Sequence, residues 1–464
     1  MKTVFVIFQL DTEDFITPET DDILLDLTRI FNKYGIRGSF AIVGEKARKL
    51  LERKRFDIID ALKTQDIAYQ SNFHSVHPTI SEYILDKDWN EGINEFIKRE
   101  KQGLEDLENI FGIKASAFIQ PGGSWAPQAV CAVNKLSIRV YADGIFEEQP
   151  IWYCNEIAIR GSVSYNAVLS GTEEHFTQIK SKFEKKYNEL KSKGGVIVVI
   201  LHPCMFKTKE FWDSINYARG KNPTKLLPAP IVSDEEYKMK LLEFERFVKF
   251  ILGHKDVKVI TYRDLPEIIE KTPEKISIDK IYVFAEKMIE KLSYHIVDGL
   301  ILSASEIFGV IVDFLSEYYI NKCFPSNVKI RKLLGPLISP SQTNETYVST
   351  KSVFNAVLNV KEFLDKNNYI PNSIVIDDKP IDAGSFLRTI SKMLLDIRDG
   401  KSLPSKTKIA PASKIPHIDG IDIADRIKRN WKWIILPENF YSEKIIEYSL
   451  LQLWTWKPAK LKDV

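Results

Sequence analysis

From Thr3 to about Lys271, short apolar runs alternate with longer amphipathic ones. "TVFVIFQL", "GSFAIVG", "DIAYQS", "ASAFIQP", "IRVYAD", "GVIVVILHP" and "VKVITY" are rich in β-branched and aromatic residues. Each ends near a polar, Gly or Pro position, which predicts a strand. Between several of them, stretches such as "DDILLDLTRIFNKYG" and "WNEGINEFIKREKQGLEDLENIFG" carry apolar residues at helical spacing. This alternation predicts a parallel α/β domain over residues 1–271, with its chemistry gathered at the carboxyl ends of the strands.

After Lys271 the pattern turns mainly helical and repeats itself. "SASEIFGVIVDFLSEYYINKCFPSNVKI" begins at Ser303 and "DAGSFLRTISKMLLDIRDGKSLPSKTKI" at Asp382, an ungapped offset of 79 residues (Ser303 to Asp382). The same offset lays Asp298 on Asp377 and Pro325 on Pro404. Two duplicated helical units are expected within residues 272–410, with 276–336 superposing on 355–415, because stacked repeats share a core. Residues 411–464 form a Trp-rich extension. Aromatic platforms bind sugar faces, but burial is the commoner fate of Trp431, Trp433, Trp454 and Trp456.

The chain has 464 residues, enough for two or three domains. Its 65 basic and 63 acidic side chains nearly cancel, which removes any electrostatic case for nucleic acid or an anionic membrane. The four cysteines form no C-x-x-C pair and are expected to be reduced. The apolar stretch "ILSASEIFGVIVDFL" is broken by Ser, Glu and Asp and falls short of a membrane span. No secretory signal pattern follows Met1, so a cytoplasmic location is expected.

Three chemical clusters follow predicted strands. "LDTEDF" places Asp11, Glu13 and Asp14 together, and strand alternation puts Asp11 and Glu13 on one face. "YQSNFHSVHPT" carries His74 and His77, and "LHP" carries His202, so three of only seven histidines sit at such positions. Imidazoles beside clustered carboxylates suit a divalent cation.

Taken in order, "TED", "QSNFHS", "PGGSW" and "LHP" resemble the motifs of polysaccharide deacetylases, metal-dependent (β/α) barrel hydrolases that remove acetyl groups from N-acetylated sugars. The resemblance covers most of residues 1–270. It implies Glu13 as the base, with Asp11 less favoured, and His202 as the acid. It implies a divalent metal, with zinc favoured, held by Asp14 and His74 with a third contact from His77 or Gln70. The backbone of Pro121, Gly122 and Gly123 would stabilise an oxyanion, Asp213 would orient His202, and Trp125 and Trp212 would face the sugar. Two positions depart from the motifs: Gln70 replaces the first motif histidine, and Ile119 replaces the arginine usual before the Pro/Gly loop. A degenerate, non-catalytic glycan-binding protein and a hydrolase of a small C–N amide therefore stay open beside the deacetylase. Residues 276–410 resemble pseudomurein-binding repeats, which implies contact with a cell-wall polymer.

Overall fold

The computed structural model describes residues 2–166 and 169–462. Within them the N-terminal region contributes ten strands: β1 (Val4–Thr12), β2 (Ser39–Ile42), β3 (Asp66–Tyr69), β4 (Phe118–Ile119), β5 (Val140–Ala142), β6 (Ile151–Tyr153), β7 (Glu156–Ile159), β8 (Val163–Ser164), β9 (Gly195–Leu201) and β10 (Val257–Ile260). They order as β6-β7-β5-β4-β3-β2-β1-β9-β8, with β10 against the first half of β1 and β2 against the second. Apart from the antiparallel β6–β7 hairpin, the pairings among these ten strands are parallel. The result is a mixed α/β fold whose sheet curls into a partial barrel.

Side-chain alternation explains the curl. On β1, Val4, Val6, Phe8 and Leu10 pack outward into the large core with the surrounding helices. Phe5 and Ile7 face inward with Ala41, Ala68 and Ala142, whose small side chains leave room on the concave face. The helix Trp89–Phe111 starts at a capping box, Asp88 with Glu91, and stops where Gly112 turns left-handed at φ 73°. Both ends are thus set by sequence.

Residues 275–329 run strand (Lys275–Ser277), helix (Ile278–Glu290), hairpin (His295–Val297 with Leu300–Leu302), helix (Ala304–Asn321), strand (Asn327–Lys329). Residues 346–409 repeat that order: Thr346–Ser349, Thr350–Lys366, Ile374–Ile376 with Lys379–Ile381, Ala383–Arg398, Lys406–Ile409. The first and last strands of each unit pair antiparallel, and the two units share one core. Each unit is a helix, an extended turn around "VDG" or "DDK", a second helix and a terminal strand, with a further short strand before the first helix. "HIVDGLIL" and "IVIDDKPI" close as hairpins because Asp298 and Asp377 both turn at φ 47°. The second unit also begins at Thr346 rather than 355, since its first strand, first helix and the loop before its hairpin are all longer than those of the first unit.

The C-terminal extension packs back on the N-terminal region. Ile427, Trp431, Ile435 and Trp456 lie in the same core as the outer face of β1. A terminal strand, Lys457–Pro458, adds antiparallel to β6. Only Trp454 of the four tryptophans joins the core of the repeats. The four cysteines are free thiols. Among the described residues, no helix is long and apolar enough to cross a membrane.

Candidate active site

Gln9 and Asp11 continue the inward face of β1 beyond Phe5 and Ile7, at the carboxyl end of the sheet. β1 and β9 are in parallel register up to Leu10 and Leu201. The next residues, Asp11 and His202, therefore meet: His202 Nε2 lies 3.5 Å from Asp11 Oδ2. Gln9 Nε2 donates to Asp11 Oδ1 at 2.8 Å. Burial pushes the Asp11 carboxyl up, opposed first by His202 and then by Gln9, His74 and Gln70. His202 is the more open partner, with a quarter of its side chain exposed (26%).

A second carboxyl–imidazole pair lies beneath the first. Glu13 Oε2 is 2.7 Å from His74 Nε2, with both side chains buried. Burial pushes Glu13 up to about 8 and His74 down to about 4, so both are neutral at pH 7, and His74 Nε2 has no hydrogen-bond partner despite its closeness to Glu13. His74 Nδ1 then bonds Ser75 Oγ at 2.6 Å, and Ser75 Oγ donates to Asp213 Oδ2 at 3.3 Å. Asp213 is itself pushed up to about 7, chiefly by burial. The backbone accommodates this chain by bending His74 to φ 52° and Ser71 to φ 64°, left-handed conformations that concentrate at functional sites.

Other expected site residues lie elsewhere or do other work. Asp14 Oδ1 accepts from the N–H groups of Ile16 and Thr17 at 2.9 and 3.0 Å, and its carbonyl accepts from Lys46 Nζ at 2.6 Å. It pins the loop after β1. His77 bonds Glu82 Oε2 at 2.6 Å and the Tyr217 carbonyl at 3.2 Å, which commits it to the helix start at Thr79. Asp213 ends the Ser75 chain, and it is Asp11 that stands beside His202. Trp125 and Trp212 are completely buried and form no sugar-facing wall. Trp125 donates to Ser449 Oγ, and Trp212 packs between Phe15 and His74, with ring centroids 5.0 and 5.5 Å away. Pro121 is buried, and Gly122 and Gly123 turn at φ 48° and 71° against the C-terminal segment.

The cleft above Asp11 encloses about 250 Å³ and is lined by Gln9, Gln120, Asp143, Arg160 and Trp433 among others. Gln120 is bound by the Tyr141 hydroxyl. Burial pushes Asp143 up to about 7, and it accepts from the Ile145 N–H and Asn430 Nδ2. Sequence reasoning passed over Asp143, although "YADG" ends a strand as "LHP" does. Arg160 and Asn430 carried no comparable signal.

The metal set read from the sequence does not fit a divalent ion. His77 is taken by Glu82 and Asp14 Oδ1 by its own loop, while Asp14 Oδ2 and His74 Nε2 have no hydrogen-bond partner. Among the described residues, no group of three or more His, Cys, Asp or Glu is arranged to hold a metal. Glu13 Oε1, Asp14 Oδ2, Gln70 Oε1, His74 Nε2 and Asp213 Oδ1 are buried without hydrogen-bond partners. Protons on carboxyls with raised pKa values relieve much of that burden for Glu13 and Asp213.

No protein-family model matches the chain, and no curated protein matches it. Solved structures that resemble it include a putative polysaccharide deacetylase from Mycobacterium smegmatis, with 13% identity, TM-score 0.40, 57% of this chain and 90% of that one covered. Another is a probable polysaccharide deacetylase from Pseudomonas aeruginosa PAO1, with 12% identity, TM-score 0.41, and 57% and 90% covered. The α-amylase AmyC from Thermotoga maritima shows 12% identity, TM-score 0.40, and 69% and 83% covered. The chemistry of this chain is therefore read from its own residues.

Proposed function

We propose that the cleft binds an N-acetylated glycan or amino-sugar conjugate and hydrolyses its acetamide by acid–base chemistry. The reading is carried by the Asp11–His202 pair, 3.5 Å apart at the carboxyl end of the sheet, where Asp11 lines the cleft and the neutral carboxyl of Glu13 follows two residues later. In this scheme His202 accepts a proton from the attacking water, and Asp11 stabilises the imidazolium. Water oxygen bonds the acetyl carbon, the C–N bond breaks, and Glu13 supplies the proton that the departing amine requires. No step is assigned to a metal, because among the described residues no three His, Cys, Asp or Glu side chains are arranged to hold one.

A second reading, glycan binding without turnover, is favoured by one observation: Gln70 replaces the first histidine of the motif and leaves His74 to pair with Glu13. Acetate release from chitin oligomers and peptidoglycan-type sugars tests the pair of readings. Release that disappears in His202→Ala supports hydrolysis. Binding of the same oligomers with no acetate from either form supports the second reading.

A further inference from the structure

The cleft is bounded on one side by a segment that lies more than 200 residues after His202. Residues 430–436 are fixed there by contacts that only this arrangement permits. A Cβ on Gly123 would stand 2.4 Å from the Asn430 carbonyl oxygen, and one on Gly122 would stand 2.4 Å from Ile435 Cδ1. Both glycines have positive φ, so any other residue there would be strained as well as crowded. The N–H groups of Arg219 and Gly220 each donate at 2.9 Å, to the carbonyls of Ile434 and Ile435. Asn430 Nδ2 donates to Asp143 Oδ1 at 2.8 Å.

Trp433 is the one exposed apolar side chain of this segment. Trp431, Ile435 and Leu436 are 4% exposed or less, whereas Trp433 is 45% exposed. It lines the same cavity as Asp11 and Gln120. Its ring meets Phe211 edge-on at 6.5 Å, and Phe211 in turn meets His202 edge-on at 5.1 Å. An indole held rigidly from both sides yet left half open presents a flat apolar surface at a polar cleft. Such a surface suits the C–H face of a pyranose ring, which combines an apolar plane with a hydroxylated rim.

We propose that Trp433 is the sugar-ring platform of the cleft and a specificity-determining residue supplied by the C-terminal extension. This rests on the glycan reading above and adds a residue that the N-terminal motifs do not contain. The chitin tetramer is the probe, added to full-length protein labelled with 5-fluorotryptophan. The ¹⁹F resonance that vanishes in Trp433→Phe should shift on titration, and resonances of buried tryptophans should shift less. By calorimetry, Trp433→Ala should weaken binding at least about tenfold, with Trp433→Tyr restoring most of it. Tetramer binding that is equal in Trp433→Ala and the unaltered protein, with no Trp433 shift, overturns the platform and leaves the glycan cleft standing. If neither the tetramer nor peptidoglycan-type oligomers bind the unaltered protein, the glycan reading fails and the platform fails with it.

Discussion

The indole N–H of Trp125 donates a 2.9 Å hydrogen bond to Ser449 Oγ across 324 residues of chain, tying the Pro/Gly loop of the barrel to the extension. Ser449 also receives the Tyr153 hydroxyl on its carbonyl at 3.0 Å. Ser449→Ala leaves a buried indole donor unpaired, so it should cost about 1–3 kcal/mol in urea unfolding. A loss below about 0.5 kcal/mol would mean the contact adds nothing.

His202→Ala should lower the kcat of acetate release by about 10²–10⁴-fold with little change in KM, the range expected for removing a general base. Asp11→Asn should act in the same direction, because it removes the charge that steadies the imidazolium. If KM rises while kcat stays the same, the pair binds substrate and does not move protons.

Dialysis against a chelator should leave melting temperature and acetate release unchanged, and Gln70→His should take up no stoichiometric zinc. The reason is local: no three His, Cys, Asp or Glu side chains among the described residues are arranged to hold a metal, and Asp14 Oδ1 is taken by the Ile16 and Thr17 amides whatever stands at position 70. Elemental analysis of both forms checks this, and one equivalent of zinc in either would restore the metal reading.

Glu156 is nearly buried and is pushed up to about 7, chiefly by burial, against donation from Asn134 Nδ2 at 2.6 Å. Between its ordinary value and 7 the folded protein holds a proton that the unfolded chain releases. Its contribution to stability therefore falls as pH rises through that window and stays low above it. Glu156→Gln should remove this slope and gain up to about 3 kcal/mol relative to the unaltered protein between pH 4 and pH 8. Denaturant melts at both pH values measure it, and parallel curves for the two forms would contradict the assignment.

Much of the barrel was legible because its strands are locally coded. The runs around β1, β2, β3 and β9 fall where apolar alternation placed them, and the Asp11–His202 meeting follows from strand register. The strands β6, β7 and β8 escaped notice because they follow one another within residues 151–164 with no amphipathic helix between them to mark them off. Trp125 and Trp212 were misread for a different reason. Sequence shows that a tryptophan stands beside a motif, but only the distant Ser449 and the Phe15 ring determine that it faces inward. His77 and Glu82 show the same limit, since a histidine five residues before a glutamate reads equally well as a ligand or as a helix-start partner.

The terminal strand Lys457–Pro458 covers the free side of β6 only after the repeats and the extension have been synthesised. During translation, the hydrogen-bonding groups of Ile151–Tyr153 wait without that neighbour while some 300 further residues emerge. The repeats, whose core needs little from the barrel, can order first and carry the closing strand back to its place. Folding from the ribosome should thus finish at the barrel where it began, with β6 the last strand to gain protection from hydrogen exchange.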